Sequence, residues 1–155
     1  MRRRSASAPL LKLFVYGTLK RGGRFHDRYC RGVLAIEEAS VRGWLHTLPA
    51  GYPMLVVPKE HILADGTADA VADVATQARF AAILAPAGEL SERISGEILT
   101  FDDPSDRLPA LDELEEFHPG ATSLYRRVLL AVRPEQAEHP IPAWTYVADH
   151  WPLDG

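Results

Sequence analysis

The sequence predicts an α+β fold: short strands forming a small barrel or a strongly curved sheet, with one or two helices. Three observations predict it. Short apolar runs rich in strand formers recur between Leu10 and Val147, and most are stopped by glycine or proline. Only two stretches carry helical spacing, an alanine-rich one from Ala68 and an acidic one from Asp106. The chain has 155 residues, 46% hydrophobic and 25% charged, which suits one folded domain with a usable core.

Residues 1–9 contain Arg2-Arg3-Arg4 and no acid, and a disordered tail is expected there. An organellar leader shares that composition. A secretory signal is rejected, because the apolar run Leu10 to Val15 is short and broken by Lys12. The domain is expected to cover residues 10–155. Leu10 to Val15 reads as a buried strand, and Gly17, Gly22 and Gly23 make the next stretch a loop. Val33 to Trp44 reads as one or two strands. Gly51-Tyr52-Pro53 is a turn, followed by a short strand over Met54 to Val57 that Pro58 stops.

Residues 59–92 change character. Ala68 to Leu84 favours a helix on propensity, with a weak stripe of Val71, Val74, Ala75, Ala78 and Ala82, and Pro86-Ala87-Gly88 breaks it. Ile94 to Phe101 reads as a strand. Asp106 to Phe117 reads as a helix, with Asp106 as N-cap and Pro109 in the first turn, ended by Pro119-Gly120. Tyr125 to Val132 and Ala143 to Val147 are the last strands.

The net charge of -4 argues against a dedicated nucleic-acid binder. A membrane span is not expected, because no long uninterrupted apolar run exists. The single cysteine, Cys30, cannot form an intrachain disulfide and fits a reducing compartment, so a cytoplasmic location is expected.

The acidic helix carries the chemical signal. On a wheel, Leu108, Leu111, Leu114 and Phe117 share one broad arc. Asp112, Glu113 and Glu116 fall opposite, as solvated acids should. Glu115 does not join them and falls between Leu108 and Leu111. Burial disfavours a charged carboxylate, and Asp112 one turn earlier adds like-charge repulsion, so a raised pKa is expected. A proton-shuttling glutamate needs that property near neutral pH. Pattern alone favours a Glu115 that snorkels out or pairs with Arg126 or Arg127 over a proton shuttle, because buried acids are often simply paired.

The loop Tyr16-Gly17-Thr18-Leu19-Lys20-Arg21-Gly22-Gly23-Arg24 has glycine spacing like a P-loop. It lacks the Lys-Ser/Thr pair that reaches phosphate and magnesium, so nucleotide binding is rejected. What remains is a strand end and a turn whose backbone N–H groups can converge on an anion, or a plain turn.

Together these segments resemble the γ-glutamylcyclotransferase-like superfamily, most closely its γ-glutamylamine cyclotransferase and plant avirulence-induced-gene branch. The resemblance rests on Phe14 to Gly22, Gly51-Tyr52-Pro53, Gly96-Glu97-Ile98, Leu111-Asp112-Glu113-Leu114-Glu115, Tyr125-Arg126-Arg127-Val128 and Ala143 to Val147, in that order. It implies a small mixed β-barrel with flanking helices. It places Tyr16, Gly17, Thr18 and Leu19 in a substrate loop, Glu115 on the catalytic acid/base, and Tyr125 beside the cavity. It implies an enzyme that closes a γ-glutamyl compound to 5-oxoproline and releases an amine or amino acid, without cofactor or metal. The expected partner is thus a small γ-glutamyl substrate. A non-catalytic binding module and a γ-glutamyl step in a biosynthetic pathway are the alternatives. Residues 59–92 exceed the compact form of the family, so a helical insertion is expected there.

Other residues carry less. His26, His46, His61, His118, His139 and His150 show no ligand spacing, and Cys30 reads as a small buried residue. His118 lies one turn on from the Glu115 face, where a supporting role competes with the ordinary preference of histidine for helix ends. Tyr52 lines the pocket if the family's Tyr-Pro motif holds. Trp144 and Tyr146 alternate on a strand, so one is expected to face the core. Trp44 and Trp151 read as packing residues, and Arg42, Lys59, Arg79 and Arg93 as solvated surface.

Overall fold

A computed structural model describes residues 10–16, 31–47, 53–81, 92–115, 117 and 125–148. The expected tail (1–9), most of the glycine loop and the turn at 51–52 lie outside the described residues. The elements are β1 (Leu11–Val15), β2 (Ala35–Thr47), β3 (Pro53–Val56), a 3₁₀ turn (Lys59–His61), β4 (Ala64–Asp65), α1 (Ala70–Phe80), β5 (Glu92–Phe101), α2 (Pro104–Leu114), β6 (Tyr125–Pro134) and β7 (Ile141–Ala148).

Five strands close a mixed barrel in the order β2-β5-β1-β7-β6, and β2 returns to β6 through Ala39↔Pro134 and Ser40↔Arg133. β1 and β7 are parallel at Leu13↔Trp144, and the other pairs are antiparallel. β3 continues the sheet from the far half of β2, and β4 lies on β6. The barrel named by the resemblance is therefore the fold, and the Val33–Trp44 region forms one 13-residue strand that starts at Ala35 and runs on to Thr47.

Strand alternation divides the core into two clusters. Phe14, Ile98, Val128, Leu130, Val132, Ala143 and Val147 fill the barrel. Leu11, Leu13, Val15, Leu99, Phe101, Leu129, Trp144 and Tyr146 face outward and are covered by Val74 of α1 and by Leu108, Leu111 and Phe117. Trp144 and Tyr146 are two residues apart and share a face, so both are buried, where one was expected. Trp44, read as a packing residue, is 42% exposed. Gly96 permits close packing at the β1–β5 pair: a Cβ there would lie 2.3 Å from the Val15 carbonyl oxygen and 2.6 Å from the Phe14 ring.

Both helices depart from the sequence expectation. α2 starts earlier, with Asp103 as N-cap and Pro104 in the first turn, so Asp106 lies within the helix and Pro109 in its interior. Pro104 explains the start, since its fixed φ suits a first turn and it lacks an N–H that would go unpaired there. The helix ends at Leu114, with Glu115 as C-cap, so Phe117 lies beyond it.

Of the predicted apolar stripe, α1 buries Val74 and exposes Val71, Ala75 and Ala78. Val71 is 65% exposed, and the buried face is Ala70, Asp73, Val74 and Gln77. Two of these four are polar because α1 docks partly through hydrogen bonds. The Gln77 amide donates to the Leu10 carbonyl at 2.8 Å, and its oxygen accepts from the Lys12 N–H at 3.0 Å. A helix side chain thus satisfies strand backbone that would otherwise lack a partner.

Candidate active site

β1 and β7 end, and antiparallel β6 begins, at one end of the barrel. That topology brings Tyr16, just past β1, toward Tyr125 at the head of β6, whose partner is Ala148 at the end of β7. Glu115, the C-cap of α2, reaches the same end. Tyr16 lies within electrostatic reach of both Tyr125 and Glu115. Of the sequence-predicted site residues, the structure therefore gathers Tyr16, Tyr125 and Glu115 around one barrel mouth. Gly17, Thr18 and Leu19 lie outside the described residues.

Tyr16 is fixed at its tip. Its hydroxyl donates to the Tyr146 carbonyl at 2.6 Å and accepts from the Leu55 N–H at 3.2 Å. Burial pushes its phenol far above the ordinary value. The Leu55 hydrogen bond works the other way, and Tyr125 and Glu115 add to the rise. Tyr16 is thus a neutral hydrogen-bonding group at any physiological pH.

Glu115 is half-buried at the helix C-cap, and its N–H donates to the Leu111 carbonyl at 2.9 Å. The position follows from the wheel. Glu115 shares the angular sector of Leu108 and Leu111, the most buried residues of α2.

Asp112 corrects the wheel. Expected to be solvated, it is 7% exposed and bonded on both oxygens. Arg127 reaches it with Nε at 2.8 Å and Nη2 at 2.9 Å, and the Tyr146 hydroxyl donates to it at 2.6 Å. Arg127 also donates from Nη1 to Asp73 at 2.8 Å and from Nη2 to the Thr67 carbonyl at 2.8 Å. Thr67 in turn donates its N–H and its hydroxyl to the two Asp73 oxygens, each at 2.9 Å. Arg127 is 1% exposed and lies between the rings of Phe117 and Trp144. Burial works against its charge, but the hydrogen bonds and charge of Asp112, with Asp73, more than restore it, so the guanidinium stays protonated. Gly66 makes room for it, because a Cβ there would sit 2.7 Å from Nη1.

This hub joins α1, α2, β6, β7 and the chain before α1. Arg127 directs its donors to Asp112, Asp73 and Thr67, and Arg126 forms an ion pair with Asp65. Sequence reasoning missed Asp112 as a buried partner, and missed Asp73. The available signal was Arg127 itself, a cation one position before the apolar run Val128-Leu129-Leu130 in a predicted strand.

A separate cavity of about 460 Å³ opens near the other end of β1, lined by Lys12, Gln77, Pro134 and Ile141 among others. Two of its polar groups are occupied, Lys12 Nζ by Thr100 and the Gln77 amide by the Leu10 carbonyl. Among the described residues no group of three or more His, Cys, Asp or Glu side chains is placed to hold a metal, and no helix is long and apolar enough to cross a membrane.

A closed mixed barrel with two helices against its wall is the architecture of the γ-glutamylcyclotransferase-like class. The family model described as gamma-glutamyl cyclotransferase, AIG2-like, matches residues 13–83 and 62–155, and the chain belongs to that family. Two solved structures share the fold. The Bacillus subtilis protein YkqA is 20% identical with a TM-score of 0.52, over 90% of this chain and 36% of its own. An Arabidopsis thaliana protein solved in solution is 18% identical with a TM-score of 0.57, over 98% of this chain and 83% of its own. The chain thus spans about a third of YkqA. No curated protein matches it in sequence.

Proposed function

We propose that this protein is a cofactor-free γ-glutamyl cyclotransferase with Glu115 as its general acid/base. The observation that carries the reading is the position of Glu115, half-buried at the end of α2 and within electrostatic reach of Tyr16, which Tyr125 also reaches. Family membership supports the reaction class.

Glu115 takes a proton from the α-ammonium of a γ-glutamyl compound. The freed amine attacks the γ-carbonyl carbon, a C–N bond forms, and the carbonyl oxygen takes up negative charge. Backbone amides of the Tyr16–Leu19 loop either stabilise that oxygen or hold the α-carboxylate. Protonated Glu115 then donates to the leaving nitrogen and the original γ-amide bond breaks; the surplus proton on the new ring nitrogen passes by way of Glu115 to the released amine, so 5-oxoproline and an ammonium or amino acid depart. Nucleophile and electrophile belong to one molecule, so holding the chain folded supplies up to about 7–11 kcal/mol of the barrier reduction.

The test is incubation with a panel of γ-glutamyl amines and γ-glutamyl amino acids, following 5-oxoproline by mass spectrometry. Wild type should release it. Glu115→Gln should remain folded and lose about 10²–10⁴-fold in rate, because an amide cannot shuttle the proton. A loss below about tenfold would remove Glu115 from the acid/base role. Release from no member of the panel by folded wild type would favour a binding module instead.

A further inference from the structure

Two of the residues gathered at the barrel mouth come from separate elements: Glu115 ends α2, and Tyr16 follows β1. One residue touches the supports of both. The Tyr146 hydroxyl donates to Asp112 Oδ1 at 2.6 Å, three residues before Glu115 on α2. The carbonyl oxygen of the same residue accepts the Tyr16 hydroxyl at 2.6 Å. Tyr146 is 4% exposed on β7, where its ring packs with Val15 and Leu111 in one cluster.

We propose that Tyr146 is a positioning residue that sets the spacing between Glu115 and Tyr16 by tying the last turn of α2 to the end of β1. This rests on the cyclotransferase reading of the site, although the tie itself is a feature of the fold. The rigidity of the tie follows from its surroundings. Asp112 cannot follow a displaced Tyr146, because Arg127 holds both its oxygens. The Tyr16 hydroxyl is held from its other side by the Leu55 N–H. Each anchor thus has a further partner that limits its movement, and Tyr146 is bonded to both and sets them in register. A displacement on the order of 1 Å in a reacting group costs up to about 10²-fold in rate, so a tie of two short hydrogen bonds is enough to matter for turnover.

The test compares two variants that both weaken buried hydrogen bonding. Tyr146→Phe removes the hydroxyl link to Asp112 and keeps the ring. Asp73→Asn weakens the Arg127 hub from the α1 side and leaves both Tyr146 bonds intact. The readouts are kcat and KM per folded molecule, denaturant stability, and the ring resonances of Tyr16 in tyrosine-labelled protein. Both variants should lose stability. Tyr146→Phe should lower kcat by about tenfold or more with KM little changed and should shift the Tyr16 resonances. Asp73→Asn should keep both at their wild-type values. Equal kcat in the two variants, or unshifted Tyr16 resonances in Tyr146→Phe, overturns the tie. Absence of turnover in wild type overturns the cyclotransferase reading alone, since the resonances still decide the tie.

Discussion

Asp112 and Glu115 stand one turn apart at the end of α2 in contrasting surroundings. Asp112 is 7% exposed and saturated by Arg127 and Tyr146, inside a network that joins five parts of the chain. Glu115 caps the helix, half-buried at the barrel mouth among tyrosines. Asp112 is paired with a buried cation, whereas Glu115 stands partly exposed at the helix end. A proton-transferring group needs access and a fixed position together. On the proposed reading, the fixing is delegated to a neighbour one turn away, whose ion pair with Arg127 anchors the helix end that carries Glu115.

That division predicts separable defects. The largest loss of stability should come from Arg127→Leu, which leaves Asp112 and Asp73 buried without their cation. Removing one partner of a buried ion pair costs about 3–5 kcal/mol, readable as a lower midpoint in urea unfolding. Replacing both aspartates by asparagine in the same protein should recover part of it. A wild-type midpoint in Arg127→Leu would dissolve the contrast, since the hub would then hold nothing.

Alkaline pH probes both regions at once, through Tyr146 in the hub and Tyr16 at the mouth. Burial raises both phenols above the ordinary value of 10, with Asp112 raising Tyr146 further. The folded chain keeps these protons where the unfolded chain gives them up. Their stabilisation is therefore complete below about pH 10 and is lost as pH rises beyond it. Each phenol contributes a slope of up to about 1.4 kcal/mol per pH unit. Tyr16→Phe and Tyr146→Phe should each flatten the fall in stability above pH 10. An unchanged slope in either variant would mean that its hydroxyl is not held as the geometry requires.

The sequence made one of these carboxylates legible and hid the other, for a physical reason. Glu115 stands out because an acid between Leu108 and Leu111 breaks the helical pattern, and local periodicity is enough to see it. Asp112 falls only about 40° from Leu108 at ~100° per residue, yet its burial depends on Arg127, 15 positions on in another element. Asp73 meets the same arginine from 54 positions away, and Gln77 meets β1 from 65. Buried polar pairs carry no period, so no window of sequence reveals them. The strands were readable because their apolar runs are local. β4 was missed because it has two residues, and the start of α2 because Asp103-Pro104 and Asp106 offer competing caps. Closure of the barrel through β2 and β6 was readable only by resemblance.

A smaller effect tests the barrel wall beneath both regions. Gly96→Ala would press a methyl group against the Val15 carbonyl and the Phe14 ring, at contact distances of 2.3 and 2.6 Å that require a backbone shift. Overpacking of this kind costs about 1–3 kcal/mol, to be measured by denaturant unfolding. Because Tyr16 directly follows Val15, turnover should fall along with stability, unlike in the hub variant Asp73→Asn.

The smallest expected effect separates α1 from the site. The exposed Asp69 caps α1 by accepting from the Ala72 N–H at 3.1 Å, and its carbonyl accepts from the Asp73 N–H at 3.0 Å. Asp69→Ala removes the side-chain cap and leaves the Asp73 carboxylate in the grip of Arg127 and Thr67. The cost should be about 1 kcal/mol, seen as a small drop in unfolding midpoint. Turnover should be unchanged, because fraying at the start of α1 stops at Asp73, and Asp112 and Tyr146 hold α2 without it. A proportional fall in kcat would show that α1 shapes the mouth directly, and the two carboxylates of α2 would then share one mechanical unit rather than divide its labour.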